Sequence, residues 1–517
     1  MKQIERINTP RAFHQAKWNE PIIFELDSPG QVGVEFPPPD PDMRKETSGP
    51  FRGIPNAAWR KRPPVLPRIG QARVLRHYLR LSQECLGADL NVEIGQGTCT
   101  MKFNPPINER ITRTPKLSEL HPLQPVDTMQ GLLEILYRTQ SMLAEISGMD
   151  AVCLQPQSGS QALMTLSAII RAKHAAAGHP ERNELITTVF SHPSAAASAI
   201  VMGFTVRTVR ARADGYPDFE HFRSLVGPKT AGFICANPED TGLYNPEIAR
   251  FTALVHENGG VCGYDQANAN GLFGVTRARE AGFDMCFFNL HKSFATPHGC
   301  GGPGTGAVAV TSALSRFLPG PSVSIDGDQY VLAPAAPDSI GKVRMFFGVP
   351  QVAVKAYAWM RSLGADGLYT VAKTAALNNA YLYRRLVSAP GITAPFDPAS
   401  QRVEQARYSL ADLKTETGVS SEDVQRRMCD FGLHYWTSHH PFIVPEPMTL
   451  EPTESPSKED LDEYADTLLH ILQEAKENPE LVRTAPHCST VHRNEDAALD
   501  DPSQWAITWR MYLKNKQ

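Results

Sequence analysis

Residues 232–265 read GFICANPEDTGLYNPEIARFTALVHENGGVCGYD. A short apolar run, GFICAN (232–237), gives way to a turn and then to a stretch in which Ile248, Phe251, Leu254 and Val255 recur at three- and four-residue steps. A second apolar run, VCGYD (261–265), follows. Runs of this kind suit strands covered on both faces. The middle stretch has the period of a helix lying on them, with Pro246 near its start. Strand, helix and strand in so short a span form a unit whose two strands pair in parallel.

The same alternation extends in both directions. AVCLQ (151–155), LITTVF (185–190), TVRTV (205–209), CFFNL (286–290) and AVAV (307–310) are short and apolar, and helical patterns such as QALMTLSAIIRAKHAAA (161–177) separate them. The expected fold class is therefore α/β, an open and mostly parallel sheet. Upstream, residues 128–149 have helical periodicity through Leu132, Ile135, Leu136, Leu143 and Ile146. Downstream of Pro334 the pattern loosens into a long helical stretch (352–387) and a smaller α+β tail that carries an amphipathic helix over 457–477. Residues 29–70 are rich in proline and predict no long helix. Three parts are expected: a proline-rich arm over 1–95, a large domain over 96–330 and a small domain over 331–517.

The chain has 517 residues, is 42% apolar and 21% charged, and has a formal net charge of −4. Nothing in that balance points to nucleic acid or to a polybasic membrane contact. No apolar stretch has the length of a membrane span, and the first twenty residues lack the apolar core of a signal peptide. The nine cysteines are odd in number and widely spaced, with no C-x-x-C. They read as small core residues of a reduced, cytoplasmic protein.

In an open α/β sheet, ligands bind outside the carboxyl ends of the strands. Ser158, Gly159 and Ser160 follow AVCLQ and open a helix, where backbone N–H groups can hold an anion. His192 follows LITTVF, Asn237 follows GFICA, Asp265 follows VCGY, and His291 and Lys292 follow CFFNL. Each has an ordinary reading: a serine cap, a hydrogen-bonded histidine, an amide starting a turn, a capping carboxylate, a lysine reaching solvent. Taken together they supply an anion cradle, a ring to stack, an amide, a carboxylate and an amine on successive strand ends. Pyridoxal phosphate needs such a set: its phosphate is bound, its ring sandwiched, its ring nitrogen kept protonated and its aldehyde held by lysine.

Two other patterns are set aside. Gly299, Gly301 and Gly304 match G-x-G-x-x-G, but a loop precedes them and the strand-like AVAV follows, whereas the dinucleotide motif opens a helix. These glycines instead suit a close backbone approach. His434, His439 and His440 have no carboxylate or cysteine to complete a metal set.

The stretch NLHKSFATPHGCGGPGTG (289–306) resembles the P-proteins of the glycine cleavage system, the pyridoxal-phosphate glycine decarboxylases, in the form of their second subunit. EPIIFELDSPGQVG (20–33), GQGTCTMKFNPPINE (95–109), LHPLQPVDTMQGLLEILY (120–137), AEISGMDAVCLQP (144–156), GLYNPEIA (242–249), SLGADGL (362–368) and EPTESPSKEDLD (451–462) extend the likeness over nearly the whole chain. It implies the type I, aspartate aminotransferase-like fold. Lys292 would be the Schiff-base lysine and proton shuttle, Asp265 the ring-nitrogen partner and His192 the ring stacker, with residues 158–160 at the phosphate. Cys99, Thr100, Lys102, His291 and His298 would border the site. Implied partners are glycine, lipoylated H-protein and a first P-protein subunit or a second copy, which the arm would embrace.

The departures from the family cluster near the expected cofactor: QSGSQAL at 157–163, HPSAA at 192–196 and DQANAN at 265–270. They keep two alternatives open. One is a related pyridoxal-phosphate decarboxylase or lyase for another small amino acid without H-protein. The other is a non-catalytic partner subunit, against which the presence of both Lys292 and Asp265 argues.

Overall fold

A central sheet is built from β1 (Ala151–Cys153), β2 (Glu184–Thr188), β3 (Thr205–Val209), β4 (Thr230–Ala236), β5 (Val261–Gln266), β6 (Met285–Asn289) and β7 (Gly306–Val310). The computed structural model describes residues 10–46, 53–62, 64–87, 91–92, 94–95, 99–299, 303–396, 399–434, 438, 443–493 and 501–517. The strand order is β1-β7-β6-β5-β4-β2-β3. Only β7 runs against its neighbours, pairing antiparallel with both β1 and β6. The expected mostly parallel sheet is thus present. The carboxyl ends of the six co-directional strands share one edge.

Helices cover both faces. The principal ones of this layer are α1 (Gln130–Ser147), α2 (Gly159–Ala176), α3 (Pro193–Val201), α4 (Phe219–Leu225) and α5 (Ile248–Glu257). Along β4, Phe233 and Cys235 face the side of Phe222 of α4 and Phe251 of α5, while Ile234 faces the side of Leu166 and Ile170 of α2. Along β6, Cys286 and Phe288 take the first side, Met285 and Phe287 the second. Successive side chains point to opposite faces, and both faces are apolar, so the sequence shows continuous runs rather than alternation. Cys153, Cys235, Cys262 and Cys286 are buried free thiols within these runs.

One strand departs from that expectation. β3 pairs with β2 alone and forms the sheet edge, with Thr205, Arg207 and Thr208 exposed and only Val209 buried. TVRTV is a half-covered edge strand, consistent with its polar residues, not a strand covered on both faces.

A hairpin, β8 (Ser322–Asp326) and β9 (Gln329–Ala333), leads to α6 (Pro350–Val387), which is broken at Gly364 (φ 67°, ψ −174°). Beyond it, β10 (Ala406–Ser409) pairs antiparallel with β11 (Pro447–Leu450), and α7 (Lys458–Glu477) packs on them. Leu382 and Leu386 of α6, Tyr408, Met448, Leu450 and Tyr464 form a second core distinct from the sheet's. Before the sheet, residues 29–70 hold no helix longer than Pro41–Glu46 among the described residues. A helix over Gln71–Gln83 follows, fixed by Glu20 to His77 (2.8 Å) and Arg80 (2.6 Å). No helix among the described residues is long and apolar enough to cross a membrane.

Phe251 sits among Phe219, Phe222 and Phe233 with ring centroids 4.7–6.2 Å away. Truncating a buried phenylalanine loses transfer free energy and leaves a cavity. Phe251→Ala is expected to destabilise by about 3–5 kcal/mol, whereas Ile200→Ala, at a residue 62% exposed, stays within about 0.5 kcal/mol. Thermal unfolding midpoints of the two variants check this.

Candidate active site

A cavity of about 320 Å³ opens where the strand ends converge. Ser158, Gly159 and Ser160 border it from the start of α2, His192 from the start of α3, Glu239 and Asp240 from beyond β4, Asp265 and Asn268 from β5, and Asn289, His291 and Lys292 from β6. Cys99, His298, Glu404 and Gln405 close it. A larger cleft of about 700 Å³ opens between α1 and the β8–β9 hairpin, with no lysine or histidine in its wall.

The cradle at 158–160 arises from local sequence. Ser158 is the N-cap of α2, its Oγ accepting from the Gln161 N–H at 3.1 Å. That cap takes one first-turn donor, and the Gly159 and Ser160 N–H groups have no partner within the helix. An 18-residue helix also places its positive end there. Three glycines permit the crowding. A Cβ at Gly159 would lie 2.8 Å from Asn289 Nδ2, one at Gly304 2.8 Å from both the Gln157 carbonyl and His291 Nδ1, and one at Gly306 2.5 Å from the Ser158 carbonyl. The loop before β7 therefore needs Gly304 and Gly306 for close approach. Gly301 lies outside the described residues, as do His439 and His440.

Asp265 stands near the end of β5, its Oδ1 accepting from the Ala267 N–H at 3.0 Å. Burial raises its carboxyl to about 6, against the opposing pull of that N–H and of the nearby Lys292 charge. Lys292 leaves β6 through a turn whose N–H bonds Asn289 O at 3.0 Å. His291 and His298 meet edge to face at 5.2 Å. Burial lowers them to about 3 and about 4, so both imidazoles are neutral. His291 Nδ1 accepts from the Thr305 N–H at 3.3 Å.

His192 is exposed at the cavity rim and caps α3, its Nδ1 accepting from the Ser194 N–H at 3.1 Å, which fixes the ring. Asn237 is not brought to the cavity. Its Oδ1 accepts from the Asn245 N–H at 2.7 Å and its Nδ2 donates to the Asn245 carbonyl at 3.2 Å. The amide holds the turn after β4 closed, with Tyr264 donating to the Asn237 carbonyl. Its expected contact with a ligand is corrected on that ground.

Three buried carboxyl groups at the site are not among the residues singled out from the sequence, and only Glu239 follows a strand end of the sheet. Glu239 and Glu404 border the cavity, and burial raises each to about 8. Glu451, just past β11, is raised well above the carboxylate range by burial and by Glu404. Asn268 Nδ2 bridges the last two, donating to Glu451 at 2.9 Å and towards Glu404 at 3.4 Å. Thr100, whose backbone is left-handed (φ 37°), donates to Glu451 at 2.8 Å. Such a φ is an outlier for a β-branched residue and marks a site held by its surroundings. Lys102 stays outside the cavity wall. Its buried ammonium pairs with Glu454 (2.9 Å), bonds Asn270 (2.7 Å) and lies 4.3 Å from the Trp359 ring centroid.

Residues 159–426 match the class-V aminotransferase family and residues 371–487 the C-terminal domain of glycine dehydrogenase. The chain is 41% identical over 508 residues to the probable glycine dehydrogenase (decarboxylating) subunit 2 of Pyrococcus horikoshii, covering 98% of this chain and 99% of that one. The corresponding protein of Halalkalibacterium halodurans is 40% identical over 479 residues, 92% of this chain and 96% of that one. Among solved structures, glycine decarboxylase (P-protein) of the glycine cleavage system, in inhibitor-bound form, superposes with a TM-score of 0.71 at 19% identity, over 85% of this chain and all of that one. A sphingosine-1-phosphate lyase of Burkholderia pseudomallei does so with a TM-score of 0.60 at 14% identity, over 84% of this chain and 96% of that one. At those identities the structural likeness is one of fold, and it meets the expected type I architecture. At about 40% identity over nearly its full length, the chain belongs to the glycine dehydrogenase (decarboxylating) subunit 2 family.

Proposed function

We propose that this chain is the pyridoxal-phosphate-bearing subunit of a glycine decarboxylase, acting in the cytoplasm with a first P-protein subunit and passing the aminomethyl group to lipoylated H-protein. The observation that carries the reading is the meeting of Lys292, Asp265 and the 158–160 cradle in one cavity, in a chain of this family. The cavity fits the cofactor. Gly159 and Ser160 offer first-turn N–H donors for a phosphate, at a turn where a Cβ on Gly159 would lie 2.8 Å from Asn289 Nδ2. The expected division into an arm to residue 95, a large domain to 330 and a small domain beyond is part of the same reading.

In this reading the chain's own groups divide the work. Lys292 holds the aldehyde and, once released, carries a proton at Nζ. Asp265, withdrawn from water, is completed by a cationic ring nitrogen, which restores its charge balance. His192, fixed through Ser194, covers the ring face at the rim. His291 and His298, neutral and packed together, limit water and leave Lys292 without a competing cation. When bound, pyridoxal phosphate supplies the sink for the electron pair left as carbon dioxide departs.

The direct test is release of labelled carbon dioxide from carboxyl-labelled glycine. Release is expected with the first subunit and lipoylated H-protein present, and Lys292→Ala should abolish it. No release from cofactor-loaded protein, with release from another small amino acid, would move the substrate and favour the alternative that the changes at 157–163, 192–196 and 265–270 raise. Asp265→Asn removes the charge facing the ring nitrogen and is expected to lower kcat about 10²-fold or more in steady-state assays. Gly159→Ala, with 2.8 Å to Asn289, should weaken cofactor binding about tenfold or more, since a misplaced helix end loses charge-assisted hydrogen bonds. Titration of apoprotein with pyridoxal phosphate measures it.

A further inference from the structure

The cavity has no arginine among its described lining residues, and its one lysine is Lys292. Arg407 is near, but it is buried and bound to Asp240 (3.0 Å) and Thr449 (3.3 Å). An amino acid bound with its amine towards Lys292 would therefore bring its carboxylate into a wall that offers acids. One of these, Glu404, is 2% exposed, and beside it, outside the wall, Glu451 is 1% exposed; neither has an ion pair among the described residues. One amide, Asn268 Nδ2, lies between them, and Glu404 Oε2 has no hydrogen-bond partner among the described residues. With Glu451 beside it, one long contact to that amide and no ion pair among the described residues, Glu404 has little to hold a charge out of water.

We propose that Glu404, kept in its neutral acid form by this arrangement, donates a hydrogen bond to the carboxylate of the amino-acid substrate. This rests on the decarboxylase reading and goes further by naming the group that binds the leaving carboxylate. Glu451 is a positioning residue: with Thr100 and Asn268 it fills the far side of the pair. The chemistry favours such a donor. The carboxylate loses its charge as carbon dioxide forms, so a guanidinium partner would stabilise the ground state more than the transition state. A neutral acid orients the carboxylate with a weaker ground-state hold. Gly271 leaves room for the Glu404 carboxyl, since a Cβ there would lie 2.6 Å from Oε2.

The ionisable groups around Glu404 are few in kind. Glu451 faces it across Asn268, and Tyr264, raised by burial, lies within its electrostatic reach. Glu239, Asp240, Asp265, Lys292, His291 and His298 line the same cavity. Arg407 on β10 is neutralised by Asp240. Burial raises Glu404 to about 8, so the donating form holds below that pH and is lost as pH rises through it. Between pH 7 and pH 9 the neutral fraction falls about tenfold.

The test uses the full chain loaded with pyridoxal phosphate, together with the first subunit, and has two readouts. Without substrate, the infrared difference spectrum of wild type minus E404Q at pH 7 should contain a protonated-carboxyl C=O band that falls about tenfold by pH 9. With substrate, the change in cofactor absorbance measures the affinity for glycine relative to methylamine, which lacks the carboxylate and shares the amine. The ratio should fall about tenfold from pH 7 to pH 9 in wild type. It should be flat in E404Q, whose amide donates without titrating, and should be lowered about tenfold at pH 7 in E404A. Absence of the band at pH 7, or an unchanged glycine-to-methylamine ratio in E404A, overturns the proposal. A wild type that ignores glycine would instead overturn the decarboxylase reading and with it the ligand assigned to Glu404; only that failure abolishes the response of the unsubstituted protein.

Discussion

The interaction on which the site depends is between a carboxylate withdrawn from water and the amine beside it. Asp265 stands one residue from the end of a strand whose other residues are buried, and its charge is opposed by desolvation and supported by one N–H and by Lys292. A carboxyl in that balance is poised for a cationic partner. The sheet makes this possible. Its interior has no room for charge, so the carboxyl, imidazole and amine groups of the site stand at or beyond strand ends, and parallel pairing brings those ends to one edge.

Packing and chemistry meet at the glycines of that edge. Gly306 lets the antiparallel strand β7 pass the carbonyl of Ser158, and Gly304 lets the loop before it pass His291. The loop that carries Lys292 and the turn that offers an anion cradle are thereby held against each other. Neither could shift without opening the contact between β7, β1 and β6. The rigidity of the site is thus a property of the sheet rather than of the loops.

What could be read in advance follows from the same rule. Ser158, His192, Asp265 and Lys292 were legible because each follows an apolar run, and strand ends in a parallel sheet converge whatever their separation in sequence. Asn237 obeyed the rule in position but not in role, since its amide closes its own turn with Asn245. The edge strand β3 was misread as covered because five residues with two valines do not reveal how many neighbours a strand has. Glu404 and Glu451 gave no signal. They stand at the ends of β10 and β11, Glu404 in the cavity wall and Glu451 behind Asn268, and the packing of those strands belongs to the second core, which nothing periodic links to the sheet.

The central claim is that Lys292 is the amine at the centre of this edge, and covalent trapping tests it most directly. The protein would be loaded with pyridoxal phosphate, reduced with borohydride, digested and mapped by mass spectrometry. The account predicts one pyridoxyl group per chain, on Lys292. A label on any other lysine, or none on a protein that has bound the cofactor, would contradict it.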